Sequence, residues 1–280
     1  MTRSPKWWQW PTILSLDAPA VALAWQALVA RGCGVRLDWP PIAVLGLSVW
    51  LAYAADRWIE GWRLQPDQVR TQRHFFYQRW RWPVAAIWTA ALLADVVLAY
   101  LGLSHRQFWL GSALLPVVLA YVVSHQFVHR NLRWRLPKEI CVALLLAGGI
   151  AVFVAARLPT LDSFPLLVPT GLFLVLAFAN CALISVWERA VDQSHGQVSL
   201  AGQFAFGPLL GRSAAGLALG CGLAVAIGWP RLWAAGVCAA WSGAALLLVD
   251  GAQPELGWEA ARVWADFVLL TPLALLAWAR

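Results

Sequence analysis

Nine stretches of this chain run for sixteen residues or more with very few charges: roughly 12–30, 41–56, 84–103, 108–128, 139–157, 165–187, 213–229, 231–249 and 258–278. A helix of about 20 mostly apolar residues crosses a bilayer, because it satisfies every backbone N–H and C=O within itself. The stretches therefore predict an all-α, polytopic membrane helical bundle of about nine transmembrane helices. They are continuous rather than alternating, which argues against a membrane β-barrel. Composition agrees. The chain is 61% hydrophobic and 12% charged, against roughly 45–50% and 25% in soluble domains. Thirty-five charged side chains among 280 residues cannot cover a water-facing surface. An ordinary cytosolic enzyme, a disordered chain and a collagen-like fibre are thereby excluded. Residues 1–280 are expected to form a single integral membrane domain.

The net charge of +7 reads as membrane topology, and no nucleic-acid partner is expected. Lys and Arg collect in cytoplasmic loops. With the N-terminus inside, fourteen Lys/Arg fall in inside segments and six outside, with Arg262 within the last span. The expected location is the bacterial cytoplasmic membrane, N-terminus inside, with membrane lipid as surroundings. Trp7, Trp8, Trp10, Trp39, Trp80, Trp82 and Trp258 lie near span ends, where indoles prefer the interface. The start, MTRSPKWWQWP, is polar and Trp-rich and does not read as a cleavable leader. The five Cys show no C-x-x-C spacing, so they read as small packing residues. No Walker A motif, dinucleotide fingerprint or Ser-His-Asp order is present.

Two segments are longer and more polar than the rest, about 57–83 and 188–212, and both are expected as inside cap loops. Each follows an acidic pair. Asp56 and Glu60 end the second span, and Glu188 and Asp192 end the sixth. Residues four apart share a helix face. Such pairs can be ordinary interfacial charge. Two of them at one membrane face instead suggest a composite site, in which four carboxylates would repel unless cations lay between them. Mg²⁺ takes oxygen ligands, commonly a few carboxylates plus substrate phosphates. Arg63, Arg70, Arg73 and Lys138 lie on the same side. Arg binds phosphate oxygens bidentately and Lys binds them as a point charge. Acids for metal and bases for phosphate, at the mouth of an apolar bundle, describe a site for a diphosphate with an apolar tail.

These residues resemble those of the UbiA superfamily of intramembrane prenyltransferases. The family has nine helices and Asp-rich motifs at the ends of the second and sixth. The first motif usually reads N-x-x-x-D-x-x-x-D, followed by an R-T-x-x-R-P-like element. This chain has D-R-W-I-E-G over 56–61 and R-T-Q-R over 70–73. The second usually reads D-x-x-x-D, then Gly and a short K-S-T-like stretch. Here it is E-R-A-V-D over 188–192, then Gly196, Ser199 and Ala201. Ala52 stands where the family usually has Asn, Glu60 and Glu188 where it has Asp, and His74 where it has Pro. The chain thus resembles a divergent member.

The resemblance implies a Mg²⁺-dependent prenyltransferase that ionises a prenyl diphosphate and passes the prenyl group to a hydrophobic acceptor, aromatic or lipid-like. Asp56, Glu60, Glu188 and Asp192 would be the catalytic metal ligands. Arg63, Arg70, Arg73 and Lys138 would bind the diphosphate. Aromatic walls would face the allylic cation, with Tyr53, Phe76, Tyr77 and Trp187 close to the motifs. A UbiA-type terpene cyclase, or a non-enzymatic lipid-binding or transport protein, are the alternatives. Transporters commonly show inverted repeats, and no convincing repeat is present.

Other residues carry open readings. His125 and His129 are four apart, which suits a metal or haem as well as an interface. Asp17, Asp95 and Asp266 fall within spans, where acids are costly. Arg262 is four residues before Asp266 and is its expected partner, while Asp95 has no such neighbour. Asn180, two turns before Glu188, either bonds across helices or faces a cavity. Gly216 and Gly220 have G-x-x-x-G spacing and are expected to pack helices closely.

Overall fold

The computed structural model describes residues 4–63, 71–124, 137–158, 164–194 and 199–278. Its secondary structure there is helical. After a short turn at Trp7–Gln9 come α1 (Trp10–Ile13), α2 (Asp17–Gly32), α3 (Trp39–Arg63), α4 (Gln72–Arg79), α5 (Arg81–Gly102), α6 (His105–Ser112), α7 (Leu115–Val123) and α8 (Lys138–Ala155). Then follow α9 (Phe164–Trp187), α10 (Arg189–Ser194), α11 (Leu200–Gln203), α12 (Gly207–Gly228), α13 (Trp233–Leu256), α14 (Trp258–Val268) and α15 (Thr271–Trp278). Among the described residues, eight helices are long and apolar enough to cross a membrane. They are nine if α1 and α2, which meet at 76°, count as one broken span. The chain is a multi-pass membrane protein.

Three of the expected spans are interrupted, each for a local reason. The first breaks at Ser15, which takes a positive φ of 56°. The fourth breaks between α6 and α7, just ahead of Pro116, which lies at the start of α7. The ninth breaks between α14 and α15, just ahead of Pro272. Proline lacks the N–H that would continue a helix. At this last break Trp25 Nε1 donates to the Leu269 carbonyl at 2.9 Å and Ser242 Oγ to the Val268 carbonyl at 2.8 Å. Backbone groups freed within the apolar layer are thereby satisfied.

The expected cap loops are largely helical. α3 runs seven residues past Asp56 to Arg63, and α4 follows as a separate cap helix. Thr71 is the N-cap of α4 and accepts from the His74 N–H, as N-cap hydroxyls do. The second cap holds α10 and α11, and α12 begins at Gly207, six residues before the expected span.

Helix α9 forms the centre of the bundle, with Phe173, Leu176, Ala179 and Leu183 wholly buried. Around it pack α2, α8, α12 and α13, which bury Trp25, Ile150, Ala215 and Leu246 in the same core. By contrast α5 buries only Val84 and Asp95, and α7 buries nothing. Their exposed Ile87, Leu93, Leu101 and Val117 form a face suited to lipid.

Helices α12 and α13 approach closely, and glycine allows it. A Cβ on Gly222 would stand 2.5 Å from the Ala240 nitrogen, and one on Gly236 2.5 Å from the Ala226 nitrogen. The G-x-x-x-G pair does not serve here: Gly216 and Gly220 have nothing within 4 Å of such a Cβ. Two residues beyond Gly220 is about 200° around a helix, so Gly222 lies on the opposite face. Gly236→Val is expected to destabilise the bundle by about 3 kcal/mol, the upper end for overpacking, because backbone must move. Gly220→Val is expected to stay within about 0.5 kcal/mol. Thermal unfolding in detergent distinguishes them, and equal tolerance of both would contradict this packing.

Candidate functional site

The chain alternates direction through the bundle, so alternate helix ends gather at one side. The ends of α3, α7 and α9 meet the beginnings of α2, α8 and α14 there, and α4 and α10 cover them. Together they line a cavity of about 140 Å³. Its wall includes Asp56 and Glu60 from α3, Glu188 and Asp192 from the α9–α10 joint, Arg73 from α4 and Lys138 from α8. The helical bond from Asp192 N to Glu188 O, 2.9 Å, explains why that pair shares a face despite the break after Trp187. Six of the eight expected site residues are thus brought to one place. Arg63 is exposed at the last position of α3 and does not line the cavity. Arg70 lies outside the described residues, as do His125, His129 and Gly196.

The carboxylates differ in their surroundings. Glu188 is 4% exposed and is gripped by two guanidinium groups. Arg262 Nη1 stands 2.7 Å from each of its oxygens, and Arg73 Nη2 donates to Oε2 at 2.9 Å. Arg262 was expected to pair with Asp266. It turns to Glu188 instead, an association 74 residues distant in sequence. Glu60 is braced by His74, whose Nε2 is 2.7 Å from Oε2. Burial pushes the His74 imidazole down to about 4. It is therefore neutral at pH 7, with Nε2–H donating to Glu60 and Nδ1 accepting from the Thr71 hydroxyl at 2.5 Å. Thr71, Arg73 and His74 thus cap α4, tie it to Glu188 and orient Glu60. Asp192 lies 3.5 Å from Lys138 Nζ.

Several residues of the site were not singled out in advance. Arg57 lines the cavity and stands 3.9 Å from Glu60. It flanks the Asp56–Glu60 face, so helical spacing would have found it. Glu139, 2% exposed, lines the cavity and accepts from the Leu200 N–H at 3.1 Å, a contact no local pattern announces. Tyr121, also not singled out, lines the cavity beside Tyr53, which was an expected aromatic wall. The other expected aromatic walls are used elsewhere. Trp187 Nε1 donates to Asp250 at 2.9 Å, Tyr77 bonds Ser15 at 3.1 Å, and Phe76 packs edge-on against Trp10. Asp95 accepts from Ser48 Oγ at 2.8 Å, joining α5 to α3 away from the cavity.

The side chains fit a metal in part. Among the described residues, no three His, Cys, Asp or Glu are gathered closely enough to hold an ion by themselves. Both Glu188 oxygens already face guanidinium groups, which makes it the most heavily engaged of the four expected ligands. Asp56, Glu60 and Asp192 line the same cavity and supply oxygen donors. That set fits Mg²⁺ when substrate phosphates complete the shell, which is how this ion is usually held.

No family model matches the chain, and no curated protein matches it either. A solved structure does: that of a UbiA homolog from Aeropyrum pernix K1, with a TM-score of 0.62, 14% sequence identity, and 94% of this chain and 98% of that one covered. At this identity the likeness concerns the fold, and over nearly its whole length the chain has the fold of that UbiA homolog.

Proposed function

We infer that the chain is an intramembrane prenyltransferase of the UbiA type, acting on a prenyl diphosphate. One observation carries the reading: the carboxylates Asp56, Glu60 and Asp192 meet the cations Arg57, Arg73 and Lys138 at one end of a cavity whose remaining wall includes Val21, Leu146, Phe173 and Ala177. A diphosphate with an isoprenoid tail has this same division of charge and apolar surface. Arg57 and Lys138 face the diphosphate oxygens, where negative charge grows as the C–O bond breaks. Arg73, fixed by Glu188, extends that field from the α4 side. His74 holds Glu60 in place. Mg²⁺ held by Asp56, Glu60 and Asp192 would add Lewis-acid neutralisation of the leaving oxygens. The rings of Tyr53, Tyr121 and Phe173 face the cation left behind, an attraction of about 2 kcal/mol when desolvated. The site end faces the cytoplasm under the Lys/Arg distribution, and the whole chain acts as one membrane domain.

Product analysis tests the reading. Purified protein in lipid nanodiscs is given isotope-labelled geranyl, farnesyl and geranylgeranyl diphosphates with Mg²⁺ and a membrane lipid extract. A prenylated acceptor is expected. A released cyclic hydrocarbon would place the chain among UbiA-type cyclases instead. Recovery of every donor unchanged would contradict an enzyme reading.

A further inference from the structure

A second polar group lines the same cavity, and the diphosphate chemistry leaves it unused. Asp17 at the start of α2, Asn180 on α9 and Asp266 on α14 all face the cavity. Asn180 is eight residues before Glu188, about 12 Å along the helix. Asp266 is one turn beyond Arg262. The group therefore sits deeper than the cations, beside Val21, Ala177 and Leu269, where a polar side chain is costly unless bonded.

Its hydrogen bonding is incomplete. Asn180 Nδ2 donates to Asp266 Oδ1 at 2.9 Å, and the Asp17 and Asp266 carboxyls lie within hydrogen-bonding distance of each other. Asn180 is 7% exposed, and its Oδ1 has no hydrogen-bond partner among the described residues. Among the described residues no ion pair engages Asp17 or Asp266. The bond to Asp266 fixes the amide, so the acceptor oxygen is held with nothing to accept from. Amide and carboxyl oxygens converging in an apolar cavity call for a hydrogen-bond donor. Oxygen acceptors turned toward the cavity offer an anionic head group nothing to bind.

We propose that Asn180, Asp266 and Asp17 seat the hydroxyl of an uncharged, apolar second substrate, a long-chain alcohol or an alkylphenol. This rests on the prenyltransferase reading and specifies its acceptor. The hydroxyl donates to Asn180 Oδ1 or a carboxyl oxygen, while the rest of the molecule lies against Val21 and Leu269. The donor diphosphate occupies the cation end, so the two polar heads bind at separate levels of one cavity.

Binding tests this without turnover. 4-Nonylphenol and 1-dodecanol, each beside its methyl ether, are titrated into wild-type protein and Asn180→Leu in nanodiscs, with affinity read by isothermal calorimetry. A lost hydrogen bond to a charged or buried partner is worth about 1.5–3 kcal/mol, or roughly 10–100-fold. At least one hydroxyl probe is expected to bind wild type about tenfold or more tightly than its ether. That preference is expected to vanish in Asn180→Leu and to shrink in Asp266→Asn. Equal affinity of alcohols and ethers for wild type would overturn the proposal with no appeal to a variant's folding. So would a preference that survives in Asn180→Leu. Failure to cleave any prenyl diphosphate is a different result, which bears on the reading under Proposed function and leaves this binding comparison decisive.

Discussion

Glu188→Gln is expected to destabilise the protein by about 3–5 kcal/mol, the cost of removing one partner from a buried ionic group. Arg73 and Arg262 are 7% and 9% exposed, and in each the Nε lacks a hydrogen-bond partner among the described residues. Taking away the carboxylate charge leaves two buried guanidinium groups facing each other. It also unties α4 and α14 from the α9–α10 joint. Arg262→Leu is expected to cost less, because Arg73 still neutralises Glu188. Thermal unfolding in detergent, with Mg²⁺ present and after chelation, measures both. If Glu188→Gln were as stable as wild type, the carboxylate would not act as a latch. If its stability loss appeared only with Mg²⁺ present, Glu188 would be a metal ligand after all.

Asp192→Asn is expected to leave the fold intact while lowering diphosphate release by about 10²–10³-fold, the usual effect of deleting one group that stabilises charge in the transition state. Its contact with Lys138 is long at 3.5 Å, and the Lys138 side chain is 31% exposed. Asp192 itself is 4% exposed, so losing this long pair is expected to cost about 1–2 kcal/mol, below the figure for the tightly paired Glu188. Asp56→Asn is expected to behave likewise. The two acidic positions of the second motif are thus expected to differ, Glu188 supporting the structure and Asp192 serving the chemistry. An Asp192→Asn protein with full activity would contradict this division, whatever its stability.

The sequence made some of this legible and concealed the rest for definable reasons. Apolar runs report length and polarity, so the spans were visible. A break such as that at Ser15 depends on one residue's backbone angle and was not. The i, i+4 spacing placed Asp56 with Glu60 and Glu188 with Asp192 on shared faces, because helix geometry alone decides that. It gave no hint that Arg262 reaches across to Glu188, since local spacing pointed to Asp266. The departures from the family pattern proved informative. Glu60 and Glu188, which stand where Asp is usual, are the two carboxylates tied to His74 and to Arg73 and Arg262. One more methylene lengthens the reach to those partners. Asp56 and Asp192 keep the shorter side chain on the cavity wall. Small-residue spacing misled at Gly216 and Gly220, because a spacing motif does not say which face meets a neighbour.

Ionisation of a prenyl diphosphate in this cavity is the proposed activity. Release of labelled diphosphate from geranyl, farnesyl and geranylgeranyl diphosphates by purified protein in nanodiscs tests it most directly. Mg²⁺-dependent release is expected from wild type with at least one donor, reduced about 10²-fold or more in both Asp56→Asn and Asp192→Asn. No release from any donor, or undiminished release in both variants, would contradict it.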